Sequence, residues 1–232
     1  SSGHSSGYKE SVFEVMIKDF FIQKLYKRYY DSFSCYRIRS LQNKNFSIIS
    51  NNCWGGQVYR SYGLPYTSPT IGLFIMPKDY IKFISDLTYY LEKDLKFIYR
   101  NQSKYRIYLE EHVDHNCPIG ILEDIEIIFL HYTSENDAYN NWNRRKKRVN
   151  FENVLFKFND QNLCTREDIE AFDLLNLKHK VCFTVQSFPK LHSCVQIKSV
   201  QDKDFVPYYY EPIGKTSDFN VTEFINNMVR ND

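Results

Sequence analysis

The sequence predicts an α/β protein, a mainly parallel Rossmann-like sheet covered by helices (α/β/α) with an amphipathic helix at its N-terminus. Three observations carry this. Short apolar runs at residues 46–50, 154–158 and 180–185 read as buried strands. Stretches of helical periodicity separate them. The first run passes without a spacer into a polar corner and a glycine pair, FSIISNNCWGG, the layout of a strand-to-helix connection.

The opening SSGHSSG resembles the remnant of an expression tag, so residues 1–7 are set aside and residues 8–232 are read as one α/β domain. At 232 residues the chain accommodates one full-sized core, with a division into two subdomains near 100–120 as the alternative. Residues 11–30 place Phe13, Met16, Ile17, Phe20, Phe21, Leu25 and Tyr29 on one helical face. The opposite face holds Lys18, Lys24, Lys27 and Arg28. Such a face is either simply solvated or suited to peripheral contact with an anionic membrane surface.

The corner after residues 46–50 leads into a helix carrying Val58, Tyr59 and Tyr62. A second apolar run, residues 71–76, predicts a strand beginning near Thr70. Pro77 then opens a helix reaching about Leu91. Residues 96–113 read as short strands and loops, and residues 125–130 as a strand. Ser134 is a candidate N-cap for a helix that ends in the basic run 144–148, where cations suit the helix dipole. Further on, Thr165 caps a helix, and residues 221–229 predict a terminal one.

No apolar run reaches the roughly 18–20 residues that a membrane span needs. Six scattered cysteines form neither a CxxC pair nor a compact disulfide framework, which points to a reducing, cytoplasmic compartment, with the basic N-terminal helix allowing contact with the inner membrane face. A net charge of +2 argues against nucleic acid as a partner.

Chemistry gathers first at the corner. A thiol nucleophile needs a base, an acid to orient that base, and donors for an oxyanion. Cys53 beside Gly55 and Gly56 offers the thiol and the donors, and His131, near the end of a strand, offers the base. Asp124 lies seven residues before His131, about 23 Å away along a straight strand, so Asp160 is the better acid. The competing reading is a buried structural cysteine beside a hydrogen-bonded histidine. Asn51, Asn52 and Trp54 complete a candidate ligand corner, since amides and aromatic faces bind sugars, against the plainer reading of Trp54 as a core side chain. Arg144, Arg145 and Arg148 present guanidinium forks suited to a diphosphate, against the plainer reading of a solvated helix end. Glu110, Glu111, His112, Asp114, His115 and Cys117 lack the second ligand pair of a zinc site, so no metal is assigned. No Walker loop, GxGxxG, GxSxG, HExxH or Asp-x-Asp motif occurs, and no cofactor is implied.

Taken together, FSIISNNCWGG, GLPYTSPTIGLFIMPKDYIKF, PIGILEDIEIIFLHYTS with WNRRKKRVN, and DQNLCT resemble an uncharacterised bacterial family associated with exopolysaccharide and capsular polysaccharide biosynthesis. The resemblance spans residues 46–184. It implies an α/β/α fold and a role in surface-polysaccharide assembly, and it brings no catalytic residues. The functions expected are therefore three. The first is glycosyl transfer from a sugar nucleotide to a carbohydrate or lipid-linked acceptor. Next comes Cys53-centred acyl transfer from acyl-coenzyme A, or ester hydrolysis. The third is non-catalytic carbohydrate binding or assembly.

Overall fold

The computed structural model describes residues 32–228, so the expected helix at residues 11–30 lies outside the described residues. Its elements run α1 (Ser34–Ser40), β1 (Ser47–Ser50), α2 (Trp54–Ser61), α3 (Pro77–Ser85), α4 (Leu87–Glu92), β2 (Lys96–Ile98), α5 (Arg106–His112), β3 (Ile119–Leu122), β4 (Ile125–Ile128), α6 (Glu135–Lys146), β5 (Val154–Asn159), α7 (Arg166–Leu174), β6 (His179–Thr184), β7 (Cys194–Gln196) and α8 (Val221–Asn227).

A four-stranded parallel sheet, order β1-β5-β6-β7, forms the centre. Strands β1, β5 and β6 are buried on both sides, which is why they appear in the sequence as apolar runs rather than alternating patterns, while the short edge strand β7 is only partly buried. One face places Ile49, Phe156, Phe158 and Cys182 against Tyr80 and Phe83 of α3, Trp142 of α6 and Phe172 of α7. The other places Ile48, Leu155, Val181 and Phe183 against Trp54, Val58 and Tyr59 of α2 and Val221 and Ile225 of α8. Helices therefore cover both faces. Gly55 lets α2 lie close on β1, since a Cβ there would meet the Ile48 side chain at 3.1 Å.

β1 is an edge strand, and side chains rather than a neighbouring strand close its outer side. The Ile48 N–H donates to the Tyr59 hydroxyl (2.8 Å), and the Ser50 N–H to Thr70 Oγ1 (3.1 Å). Such closure removes the free donors through which an exposed edge recruits other strands.

Four sequence expectations are corrected. Residues 71–76 form no strand of the sheet. Instead the segment stitches the two sheets together: Ile75 N–H donates to the Asn51 carbonyl (2.9 Å), while Phe74 and Ile128 exchange a pair of backbone bonds (2.9 Å each). Nor does the strand at Ile125 join the parallel sheet. It pairs antiparallel with β3 in a separate sheet, order β2-β3-β4, whose Ile119 and Ile128 pack with Leu109 of α5. The helix expected from Pro77 to about Leu91 is interrupted at Asp86, whose side chain caps α4 by accepting from the Tyr89 N–H (3.1 Å). Residues 96–113, expected as short strands and loops, include the helix α5. The expected caps are present: Ser134 accepts from Asp137 N–H, and Thr165 and Asp168 form a reciprocal capping box. No described helix is long and apolar enough to cross a membrane.

Candidate functional site

The carboxyl ends of β1 and β5 hold six polar side chains that are closed off from solvent, namely Asn51, Asn52, Lys157, Asn159, Gln161 and Glu211. β5 runs Val-Leu-Phe-Lys-Phe-Asn, so its period of two sets Leu155, Lys157 and Asn159 on one face, beneath α2. Lys157 ends up fully enclosed, its ammonium 5.9 Å from the Trp54 ring and 5.8 Å from the Phe183 ring.

An enclosed ammonium must be paired and fully hydrogen-bonded. Lys157 Nζ donates to Asn52 Oδ1 (2.9 Å) and to Glu211, whose carboxylate is equally enclosed. Burial pushes the Lys157 ammonium below its ordinary range, and Glu211 opposes that push. The carboxylate also accepts from Asn159 Nδ2 (2.7 Å) and Asn52 Nδ2 (3.0 Å). Asn51 Nδ2 donates to Asn159 Oδ1 (2.8 Å), and Gln161 Nε2 donates to the Val206 carbonyl. The result is a connected polar network in which each member fixes the direction of the next.

Beyond β5 the chain turns through Asn162 (φ 58°) and Leu163 (φ 63°), two consecutive non-glycine residues in the left-handed region. A leucine there is strained, and Leu163 is exposed as well. Tyr108 donates to Asn162 Oδ1 (2.8 Å) and secures this turn. Strained turns beside polar clusters at a strand's carboxyl end are characteristic of functional sites.

The sequence-derived residues divide sharply. Asn51 and Asn52 belong to the network. Trp54 lies beneath it as a fully buried side chain, its Nε1–H donating to the Pro212 carbonyl (2.6 Å) and its ring set edge-on to Phe183. Gly55 and Gly56 face Ile48 and Ile71, an arrangement of close packing rather than an open cradle. Cys53 is half-buried and its thiol approaches the Leu73 carbonyl at 3.7 Å. Burial, with Glu211 adding and Lys157 opposing, pushes that thiol up to about 12, so it is protonated at neutral pH.

His131 lies at the surface, where partial desolvation of its ring by its neighbours, together with His115 nearby, pulls its pKa down. Asp160 accepts from two backbone groups, Val185 N–H (2.7 Å) and Val206 N–H (2.8 Å), so both its oxygens serve as a clamp between loops. No hydrogen bond among the described residues joins Cys53, His131 and Asp160. Asp124 lies in the β3–β4 turn and pairs with Lys82 and Tyr90.

Of the arginines, Arg145 reaches back from α6 to donate to the Tyr132 hydroxyl and lies over the Tyr66 ring at 5.1 Å. Arg148 donates to the Tyr66 carbonyl (3.4 Å), and Arg144 to Asn141 on its own helix (2.6 Å). A separate open recess of about 390 Å³, lined by Ile84, Phe151, Val154 and His179, lies at the amino ends of β5 and β6, away from the network.

Sequence reasoning missed Lys157, Asn159, Gln161 and Glu211. A lysine inside an otherwise apolar strand was the available signal for the first, because a charge there needs a buried partner. Glu211, 54 residues downstream, had none.

Thiol reactivity provides a direct check on this electrostatic picture. Cys194 is half-buried like Cys53, but a hydrogen bond with Cys182 pulls its pKa below the ordinary value, against the effect of burial. Iodoacetamide at neutral pH should alkylate Cys194 about tenfold or more faster than Cys53, since the thiolate is the reacting form. Peptide mapping by mass spectrometry over a time course measures both rates, and equal rates would contradict the high Cys53 value.

The fold and this enclosed cluster define a mixed α/β protein with a parallel sheet whose carboxyl edge carries a buried charged network. The chain belongs to the family described as a domain of unknown function, DUF1919, whose model matches residues 23–228. It is similar to an uncharacterised protein of Haemophilus influenzae, 31% identical over 176 residues, which covers 76% of this chain and 79% of that relative.

Proposed function

We propose that this chain is a transferase acting on a carbohydrate intermediate of exopolysaccharide or capsular polysaccharide assembly, moving a glycosyl group from a sugar nucleotide to a carbohydrate or lipid-linked acceptor. One observation carries the reading: amide side chains and a lysine are gathered at the carboxyl ends of β1 and β5, the edge where open α/β sheets take their ligands. Read as Rossmann-like, this sheet would hold the donor there. Amides suit sugar hydroxyls, and a lysine ammonium suits phosphate. The reaction would be cytoplasmic, where sugar nucleotides are made, with the acceptor at the inner membrane face.

The protonated thiol of Cys53 and its lack of a bonded base favour glycosyl over acyl transfer. Thermal-shift screening of sugar nucleotides against acyl-coenzyme A tests the choice. A sugar nucleotide at about 100 times its dissociation constant should add about 2.7 kcal/mol, or about 5–10 °C for a chain of this size. Turnover should survive Cys53→Ser. A shift with acyl-coenzyme A alone, together with loss of turnover in that variant, would reverse the assignment, and no shift with either donor class would leave the non-catalytic carbohydrate-binding reading.

A further inference from the structure

The network is asymmetric in a way that suggests what it grips. Its donors belong to the sheet and its corner: Lys157 Nζ and Asn159 Nδ2 from β5, and Asn52 Nδ2 from the turn after β1. The two amides are held from behind. Asn52 Oδ1 accepts from the Trp54 N–H (3.1 Å), and Asn159 Oδ1 accepts from Asn51 (2.8 Å). The charged acceptor that these three share comes from outside the sheet, on an irregular stretch at residues 207–211 that includes a single 3-10 turn, Tyr208–Tyr210.

That stretch is tied down at both ends. Val206 donates its N–H to Asp160 and accepts from Gln161, while Pro212 accepts from Trp54. Between these ties Glu211 inserts its carboxylate into the donors, and Tyr208 and Tyr210 remain exposed at the surface. Three convergent, pre-aimed donors enclosing one anion constitute an anion site that is occupied by the chain itself.

We propose that Lys157, Asn52 and Asn159 form a binding site for the phosphate or diphosphate of a ligand, and that the Glu211 carboxylate stands in for that anion while residues 207–211 form a closed strap. The proposal rests on the reading of this edge as a donor site and names the group that is gripped. A phosphate offers the oxygens needed to take over all three donors, and a displaced Glu211 recovers its hydration in solvent. Because ligand and Glu211 compete, the apparent affinity is the intrinsic affinity reduced by the fraction of time the strap is open.

Inorganic pyrophosphate serves as the probe, with the full chain and its Glu211→Gln variant compared by calorimetric titration. The variant keeps the shape of the strap but removes the competing charge. Pyrophosphate should bind it at least about a hundredfold more tightly than the unaltered chain, the gain for a strap that is open about a hundredth of the time or less. Adding Lys157→Gln should abolish that binding. Affinities equal in the two proteins, or no binding to either, would overturn the proposal.

Should the variant fail to fold, hydrogen exchange on the unaltered chain decides alone. Saturating pyrophosphate should speed exchange in residues 208–211 and slow it in residues 51–53 and 157–161, and an unchanged pattern overturns the proposal. A sugar nucleotide run alongside separates this inference from the transferase reading. Pyrophosphate that frees the strap while no sugar nucleotide binds would leave the anion site standing and remove the donor. A sugar nucleotide that binds without moving the strap would do the reverse.

Discussion

Replacing Lys157 by methionine should cost about 3–5 kcal/mol of stability, because it leaves the enclosed Glu211 carboxylate without its counter-charge. Methionine fills much of the same volume, so cavity formation contributes little and the loss reports the charge. Asn52 Oδ1 loses its bond to Nζ at the same time. Adding Glu211→Leu to the same chain should recover part of the loss, since a buried pair replaced on both sides by apolar groups is often nearly neutral. Recovery stays partial because Asn159 Nδ2 then loses its acceptor. Urea unfolding of both single variants and the double variant gives the coupling energy directly. A Lys157→Met protein that loses less than about 1 kcal/mol would mean that the network is open to water and not the closed arrangement described.

That network also marks the boundary of what could be read from the sequence. The strands β1, β5 and β6 were legible because parallel strands buried on both faces are continuous apolar runs. The caps at Ser134 and Thr165 were legible because their chemistry is local. The β3–β4 hairpin was not. Its turn takes the positive φ at Glu123 (56°), where glycine would have signalled a hairpin, so residues 125–130 looked like one more strand between helices. Residues 71–76 were misread for a different reason. They are as apolar as a strand, but whether such a run joins a ladder or spans two sheets is decided by partners far away, here Asn51 and Ile128. Within the site, Asn51 and Asn52 were found from the corner they occupy. Their partner Glu211 is set by the path of residues 207–212 across the sheet edge, which no local pattern encodes.

Trp54→Ala should be at least as damaging as the loss of Lys157, at about 3–5 kcal/mol for truncating a large buried aromatic side chain. The sequence leaves Trp54 open between a core side chain and a platform on which a sugar or base stacks, and a platform would show a different result: a well-folded variant with weakened ligand binding. The structure instead encloses the indole completely, sets it edge-on to Phe183 at 5.7 Å, and uses its Nε1–H to hold the Pro212 carbonyl at 2.6 Å. The Pro212 carbonyl, left without its donor, adds about 1–3 kcal/mol if no water reaches it. Trp54→Phe separates packing from tethering, because it keeps most of the aromatic volume and removes only the tie at the end of the strap. Its unfolding midpoint should fall less than that of Trp54→Ala, while hydrogen exchange in residues 208–211 should rise above that of the unaltered chain. If both variants unfold at the original urea concentration, Trp54 is not the anchor of this core and the stacking role regains its standing.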